Sequence, residues 1–490
     1  FIFGDNGLVR SCVRGKAFLL FILQLACICG CIPLGPKYRP PEIGIELPDK
    51  YRAAPKGALP LPKRWWSVFN DPQIDQLVEE VIKSNWDLKK AAARILELEA
   101  AFSEARAERL PKFDLSASTA RQRMTVQLFF PHTGTKTSVT DSYDLTFAAS
   151  FELDLWGRLR KASEAARFEL LAEEENRRAL AQSLVAEAIS LYFRARTLER
   201  RLLLASERLE IDRDILIILQ KRYLRGLLSI TEVKAASRVV KADEVTLSSL
   251  KQELEEVLCD LSLLLGRYPH PFPLEGGPRD YVEGLQPVPL GLPSELLLRR
   301  PDLRAAEDRL KALTARVGVA RALSFPRISL TGSHGYSSED LEDLFRPESL
   351  IVRVATGIVA PIFEGGKLKA AERAAWARLR QAEAEYAKAV LQAFYEVEVA
   401  LERRRKLFER RRKLMASIKE AQEIEDLLRK RYRRGLVDIT QLLEAEKERL
   451  RAEEDLLLLD LAILTNRVSL HRALGGGWIN PLLGRETGER

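Results

Sequence analysis

Residues able to do chemistry are scarce in this chain of 490 amino acids. Its four histidines, His132, His270, His334 and His471, are scattered, with no i, i+4 pair and no Cys/His spacing that would hold a metal. No phosphate-binding loop or dinucleotide fingerprint occurs. The many carboxylates alternate with bases on helix-like stretches, where solvated charge is the usual meaning rather than acid–base pairing. No enzyme activity and no cofactor are expected. The five cysteines suggest one modification. Cys12, Cys27, Cys29 and Cys31 crowd the first 31 residues, and only Cys259 lies beyond them. Arg10, Arg14 and Lys16 precede an apolar run from Ala17 to Ile28, the layout of an export signal over residues 1–30. The run ends in Ile28-Cys29-Gly30-Cys31, where a small residue precedes the last cysteine, as in a bacterial lipobox whose thiol is acylated. Cys31 is the best candidate for a covalent lipid. Ile28 is too bulky for cleavage before Cys29, and Cys27 would need an aliphatic residue where Gln24 stands. The alternative is an ordinary signal peptide with incidental cysteines. With Cys31 acylated, Cys259 is a single thiol and there is no disulfide framework.

Composition narrows the class further. The 78 basic and 70 acidic residues give a net charge of +8, falling to +6 without residues 1–30. The two signs are interleaved, whereas a nucleic-acid footprint needs clustered bases, so no nucleic-acid partner is expected. Mean hydropathy is −0.16, and the only sustained apolar run, Ala17 to Cys31, is too short and too early for a spanning helix. A multi-pass helical membrane protein is excluded.

The elements that must position any site are written twice. No proline occurs between Pro131 and Pro269 or between Pro361 and Pro481. Gly157, Gly226 and Gly266 punctuate the first stretch, and Gly366, Gly435 and Gly475 the second, all shifted by 209 residues. Around the middle glycines, residues 221–231 and 430–440 are identical at eight of eleven positions. Each copy reads as helix, strand, strand, long helix, turn, helix. The stretch from Gly157 to Gly226 is rich in Ala, Leu, Glu and Arg, and a continuous helix of that length reaches roughly 100 Å. Its apolar positions recur every three or four residues, as in Leu184, Ala188, Leu191 and Ala195, which suits a coiled-coil or helical-barrel seam. Gly226 and Gly435 suit the reversal into a second, antiparallel helix. The expected division is a signal (1–30), an extended lipidated segment (31–70), a first repeat (71–266, hairpin about 112–155), a linker (267–292), a second repeat (293–475, hairpin about 327–363) and a tail (476–490).

The strands alternate. From Tyr143 to Leu155 every second residue is apolar, and Phe113, Leu115 and Ala117 do the same within 112–118. The second copy is less regular, with Ile328, Leu330, Leu350, Val352, Val354 and Ile358. Strands of about 9–13 residues with one lipid-compatible face are those of a membrane β-barrel; a soluble half-buried hairpin is the alternative for any one strand. Four strands cannot close such a barrel, and lipid tolerates no open sheet edge. If these strands span a membrane, several chains must share one barrel.

A series of motifs resembles the TolC-type outer-membrane efflux family, in its lipoprotein branch. They are Gly35-Pro36-Lys37-Tyr38-Arg39-Pro40-Pro41, Trp65-Trp66-Ser67-Val68-Phe69-Asn70-Asp71-Pro72, Arg299-Arg300-Pro301-Asp302-Leu303, Arg316-Val317-Gly318, Phe325-Pro326 and Ala473-Leu474-Gly475-Gly476-Gly477-Trp478. The resemblance covers almost the whole mature chain. It implies a mainly α fold with transmembrane β, namely a homotrimer with a 12-stranded outer-membrane barrel continued by a 12-helix periplasmic tunnel. It further implies a passive exit duct for drugs or other small toxic compounds, fed by an inner-membrane pump and a periplasmic adaptor and gated at the helix tips. Gate positions carried over are Tyr432, Thr231, Glu232 and Glu444, the last matching an acidic ring that can repel anions or hold cations. Val437 departs from the pattern, since some relatives have there an Arg that ties the gate; closure then falls to Asp438 or to packing. Adaptor contact falls to the tips, at Arg222, Tyr223, Gly226 and Leu227 and at Arg431, Gly435 and Leu436. Exposed helix charge is the plain alternative for Glu232 and Glu444. Phe129, Phe130 and His132 are expected in the first hairpin loop, and His334 and Tyr336 at the start of the second. Type I protein secretion is the alternative within the family, and a periplasmic adaptor or coiled-coil scaffold outside it. Cys31→Ser is expected to abolish incorporation of labelled palmitate; persistent labelling would sink the assignment of the lipid to Cys31.

Overall fold

The computed structural model describes residues 34–41, 64–127, 135–270, 274, 280–286, 288 and 293–476; the expected export signal, Cys31, and Phe129, Phe130 and His132, expected in the first hairpin loop, lie outside them. The first repeat holds α1 (Pro72–Ser84), α2 (Trp86–Ala107), β1 (Lys112–Gln127), β2 (Thr135–Leu153), α3 (Arg158–Leu224) and α4 (Ile230–Leu264). The second holds α5 (Pro293–Arg299), α6 (Pro301–Ala322), β3 (Arg327–Ser338), β4 (Leu350–Val359), α7 (Lys367–Arg433) and α8 (Ile439–Ala473). The long helices match in length across the repeats, 67 residues for α3 and α7 and 35 for α4 and α8.

Where the sequence suggests one helix at the start of each repeat, there are two. In the first, Asn85 interrupts: its Oδ1 accepts the backbone N–H groups of Asp87 (2.9 Å) and Leu88 (3.2 Å), capping α2, while its Nδ2 donates to the Leu264 carbonyl at 2.9 Å. In the second, Pro301 starts α6 and disfavours helical backbone at Arg300. Residues 31–70, expected to be extended throughout, end in a 3-10 turn at Trp65–Phe69 because both tryptophans and Phe69 are buried there.

The described residues divide into two compact units that do not follow the repeats. One draws on the described residues within 1–41, 96–171 and 307–384 and contains the sheet. The strands pair antiparallel in the order β1-β2-β3-β4, leaving β1 and β4 as edges. Register brings Phe113 opposite Ala149 and Leu115 opposite Phe147. It sets Phe147 opposite His334 and Phe151 opposite Leu330, and then Gly332 opposite Val354 and Ile328 opposite Ile358. Directly opposed residues share a face, so one face carries an apolar band across all four strands, with exposed Phe113, Leu115, Val354 and Ile358, and turns charged further along the first hairpin, where Arg121 lies opposite Asp141 at 3.2 Å. The strands of the first hairpin are longer than expected, 16 and 19 residues, and β2 ends at Leu153 rather than Leu155. Asp154 leaves the strand because its carboxylate accepts the N–H groups of Leu159 (3.1 Å) and Arg160 (2.7 Å) at the start of α3. His334 and Tyr336 do not begin a loop; both lie in β3. The glycines beside them permit close strand approach, since a Cβ on Gly335 would strike the Leu145 carbonyl.

The other unit, from the described residues within 42–95, 172–306 and 385–490, is helical. Its core packs Trp65, Trp66 and Phe69 with Leu77 and Val81 of α1, Ile189 and Phe193 of α3, Leu261 of α4 and Ile463 and Val468 of α8. His471 stacks on Trp65 at 5.0 Å between centroids, and burial pushes its imidazole down to about 3, so it is neutral here. Buried Asp71 caps α1 through the Gln73 N–H (3.0 Å) and accepts the hydroxyls of Tyr192 (2.7 Å) and Tyr281 (2.6 Å). Burial pushes the Tyr281 hydroxyl up to about 12 and the Tyr192 hydroxyl higher, so both stay protonated donors. Buried Arg300 donates to Asp302 (2.8 Å), to Glu396 of α7 (2.8 Å) and to the Ala473 carbonyl of α8 (3.1 Å), which joins the motifs at 299–303 and 473–478 in one packing joint. Tyr192→Phe removes one of the two hydroxyl donors to buried Asp71 and is expected to cost about 1–3 kcal/mol, read as a lower midpoint in denaturant unfolding of the detergent-solubilised protein.

Candidate functional site: the helix-hairpin tips

Both hairpins reverse by the same backbone device. Gly226 and Gly435 stand at φ +72° and +68°, a region costly for residues with a Cβ. The Gly226 N–H donates to the Tyr223 carbonyl at 2.8 Å and the Leu227 N–H to the Arg222 carbonyl at 3.0 Å. Gly435 and Leu436 repeat this on Tyr432 and Arg431 at the same distances. These are paired Schellman stops. No atom lies within 4 Å of where a Cβ would sit on either glycine, so conformation alone requires glycine there.

The helices that follow are capped differently. In the first tip the Glu232 carboxylate accepts the Ser229 N–H at 2.8 Å, and the Thr231 hydroxyl lies 2.5 Å from the Ser229 hydroxyl. Glu232 and Thr231 therefore serve the start of α4, the reciprocal half of a capping box. In the second tip Asp438 is the cap: it accepts the Thr440 N–H at 2.9 Å and the Thr440 hydroxyl at 2.8 Å. The same carboxylate is paired with Arg222 at the end of α3. That ion pair clasps one hairpin to the other within a single chain. Arg222, read from the sequence as an adaptor contact, thus has an intrachain partner, and Asp438 supplies a tie where Val437 cannot.

The remaining predicted positions stay open. Tyr223 and Tyr432 are both 42% exposed, and Leu227 and Leu436 are exposed at the apex, giving two similar tips side by side. Glu444 is exposed and 3.5 Å from Lys447, whose ammonium is held by buried Asp212 of α3 at 2.7 Å.

Below the tips runs a polar ladder that sequence reading missed. Arg208 donates to buried Asp243 at 2.9 Å, joining α3 to α4; Arg201 donates to Glu454 at 3.0 Å, joining α3 to α8; Arg449 donates to buried Glu425 at 2.7 Å, joining α8 to α7. Burial pushes the Asp243 carboxyl up, opposed by Arg208. The available signal was a charged residue on an otherwise apolar seam, as with Asp243 between Val240 and Leu250.

The Thr440 backbone N–H, with its hydroxyl and Arg222, holds the Asp438 carboxyl below the usual carboxylate range. Such a group contributes stability above its unfolded pKa and loses it only as pH falls through the folded one. The clasp therefore holds at neutral and mildly acidic pH.

The sequence profile described as "Outer membrane efflux protein" matches residues 77–267 and 292–476, and the chain belongs to that family. It is an efflux channel of the outer membrane, with the mainly helical, twice-repeated fold of such channels. The pyoverdine export outer membrane protein OpmQ of Pseudomonas putida is 30% identical over 90% of this chain and 94% of its own length. The probable outer membrane lipoprotein SilC of Salmonella typhimurium is 29% identical over 95% and 99%. The solved structure of the outer-membrane channel OprN superposes with a TM-score of 0.82 at 31% identity, covering 91% of this chain and 99% of that one.

Asp438→Asn keeps a capping oxygen and removes the ion pair, whereas Asp438→Ala removes both. The Ala variant is expected to be less stable than the Asn variant by about 1 kcal/mol, checked by thermal unfolding; Arg222→Ala in the Asn background should add nothing further.

Proposed function

We propose that three copies of the chain share one twelve-stranded barrel, β4 of each pairing with β1 of the next, and act as the exit duct of a tripartite efflux system. The observation that carries this reading is the four-stranded sheet with two bare edges and an apolar band crossing all four strands on one face. Such a sheet suits lipid only when its edges are paired. The helical hairpins of the three copies then supply the twelve helices of a periplasmic tunnel, and their tips its gate. The Arg222–Asp438 clasp favours the closed tip, with Tyr432 and Glu444 beside it, while Tyr223, Leu227, Arg431 and Leu436 offer a partly apolar, partly basic apex to the helical hairpins of an adaptor. An inner-membrane pump supplies the energy; the duct itself is passive.

The name of SilC supports acylation of Cys31, which would tether the mature N-terminus to the outer membrane. The name of OpmQ supports a small exported compound as cargo rather than a folded protein. Detergent-extracted protein from outer-membrane fractions is expected to show threefold averages by electron microscopy and stepwise conductance in planar bilayers. Arg222→Ala should raise the conductance of each step. Monomeric particles without pores would overturn the duct.

A further inference from the structure

Two buried carboxylates meet inside the first helical hairpin. Asp212 of α3 is 4% exposed and Asp243 of α4 is 8% exposed. They stand at similar separations in sequence from the turn at Gly226, roughly 20–25 Å along the helices from it. Ile211 and Ile215, packed with Leu450 of α8, keep the surroundings of Asp212 apolar. Each carboxylate gives one oxygen to a base. Asp212 Oδ1 accepts from Lys447 of α8 at 2.7 Å, and Asp243 Oδ1 accepts from Arg208 of α3 at 2.9 Å. Both Oδ2 atoms are buried, and among the described residues neither meets a hydrogen-bond donor. The two carboxyl groups lie within hydrogen-bonding reach of each other. Two acceptors so placed repel unless a proton lies between them.

The charge around the pair balances without Asp243. Arg201 and Arg208 of α3 share Glu454 of α8, at 3.0 and 3.8 Å. Lys447 lies between Asp212 and the more exposed Glu444, 2.7 and 3.5 Å away. Glu244, next to Asp243 on α4, pairs instead with half-exposed Arg213. Three bases therefore face three other acids, and an ionised Asp243 adds a fourth negative charge beside an apolar seam. Burial and contact with Asp212 push the Asp243 carboxyl above its ordinary range, with Arg208 opposing. Stability contributed by such a group is complete below its unfolded pKa and is lost as pH rises through the folded one.

We propose that Asp212 and Asp243 form an acid-fastened latch: on mild acidification a proton settles on Asp243 Oδ2 and is donated to Asp212 Oδ2, fastening α4 to α3 and, through Lys447, to α8. At higher pH Asp243 is ionised, its charge faces the Asp212 carboxylate, and the same joint loosens. Arg208 keeps its acceptor in both states, because Oδ1 of a protonated Asp243 is still a carbonyl oxygen. A metal cation fits less well, since Lys447 and Arg208 hold the outer oxygens and the described residues bring no third ligand to the two carboxylates. The Arg222–Asp438 clasp stays intact over the same mildly acidic range, so acid stiffens the hairpin without releasing its tip. The latch lies within one chain and stands whether or not the duct reading does.

The test uses the full chain in detergent and Asp243→Asn, which copies the protonated acid: its amide can donate to Asp212 Oδ2 while its carbonyl accepts from Arg208. In denaturant unfolding the Asn variant should have the higher midpoint at about pH 7, and the gap should close at about pH 5 as the wild type takes up its proton. An Asn variant that is less stable than the wild type at about pH 7, or that fails to fold, shows that the Asp243 charge is needed by Arg208 and overturns the latch. A gap that does not change with pH overturns it as well. Infrared spectra at about pH 5 should show the carbonyl band of a protonated carboxyl in the wild type that the Asn variant lacks; identical spectra count against the proton. Stabilisation of the wild type by magnesium or calcium at about pH 7, absent from the variant, makes the occupant a cation and overturns the proposal. These readouts need no pore, so protein that forms no channel leaves the test of the latch intact.

Discussion

An open sheet edge in hydrocarbon leaves a row of backbone N–H and C=O groups without partners, each costing several kcal/mol in a medium with no water to replace them. That constraint governs this protein. Its sheet is coherent inside: the registers of β1-β2-β3-β4 bring Phe113, Leu115, Phe147, Phe151, Ile328, Leu330, Val354 and Ile358 to one face. It is incomplete outside, at β1 and β4. Among the described residues the internal repeat supplies two hairpins, so closure has to come from other copies. A fold that would be an aggregation hazard as a monomer is a channel once its edges find one another.

A related demand acts at the hairpin tips. The two repeats reverse with matching glycine geometry, because each must satisfy the last carbonyls of a 67-residue helix within a few residues. They differ only at the following cap. Glu232 gives its carboxylate to its own backbone, whereas Asp438 caps α8 with one face and meets Arg222 with the other. One side chain thereby couples local helix stability to the relation between hairpins, and weakening the ion pair leaves a capped helix behind.

Between tips and core, the helices are joined by charged pairs that are partly buried, Lys447–Asp212 and Arg449–Glu425 among them. Buried pairs contribute little net stability, because desolvation offsets their attraction. Their value is geometric: an apolar seam of Leu and Ala permits sliding by a turn, and a single buried carboxylate with one basic partner does not.

Much was legible in the sequence. Helix propensity and the absence of proline determined the long helices, glycine position determined where they reverse, and period-two alternation determined that strands exist and which side chains share a face. These are local consequences of residue type, and the repetition at 209 residues made each of them readable twice. Other features were decided only by tertiary structure. The division of the first helix at Asn85 depends on the Leu264 carbonyl 179 residues away, and Arg300 is explicable only beside Glu396 and Ala473. His334 and Tyr336 sit in a strand because β2 and β4 flank it, whatever their glycine neighbours suggest. Glu232 and Asp438 occupy equivalent tips, yet only Asp438 faces an arginine from the other hairpin. Composition and periodicity specify what a residue can do; which partner it meets depends on contacts distant in sequence, and those exist only when the chain is folded.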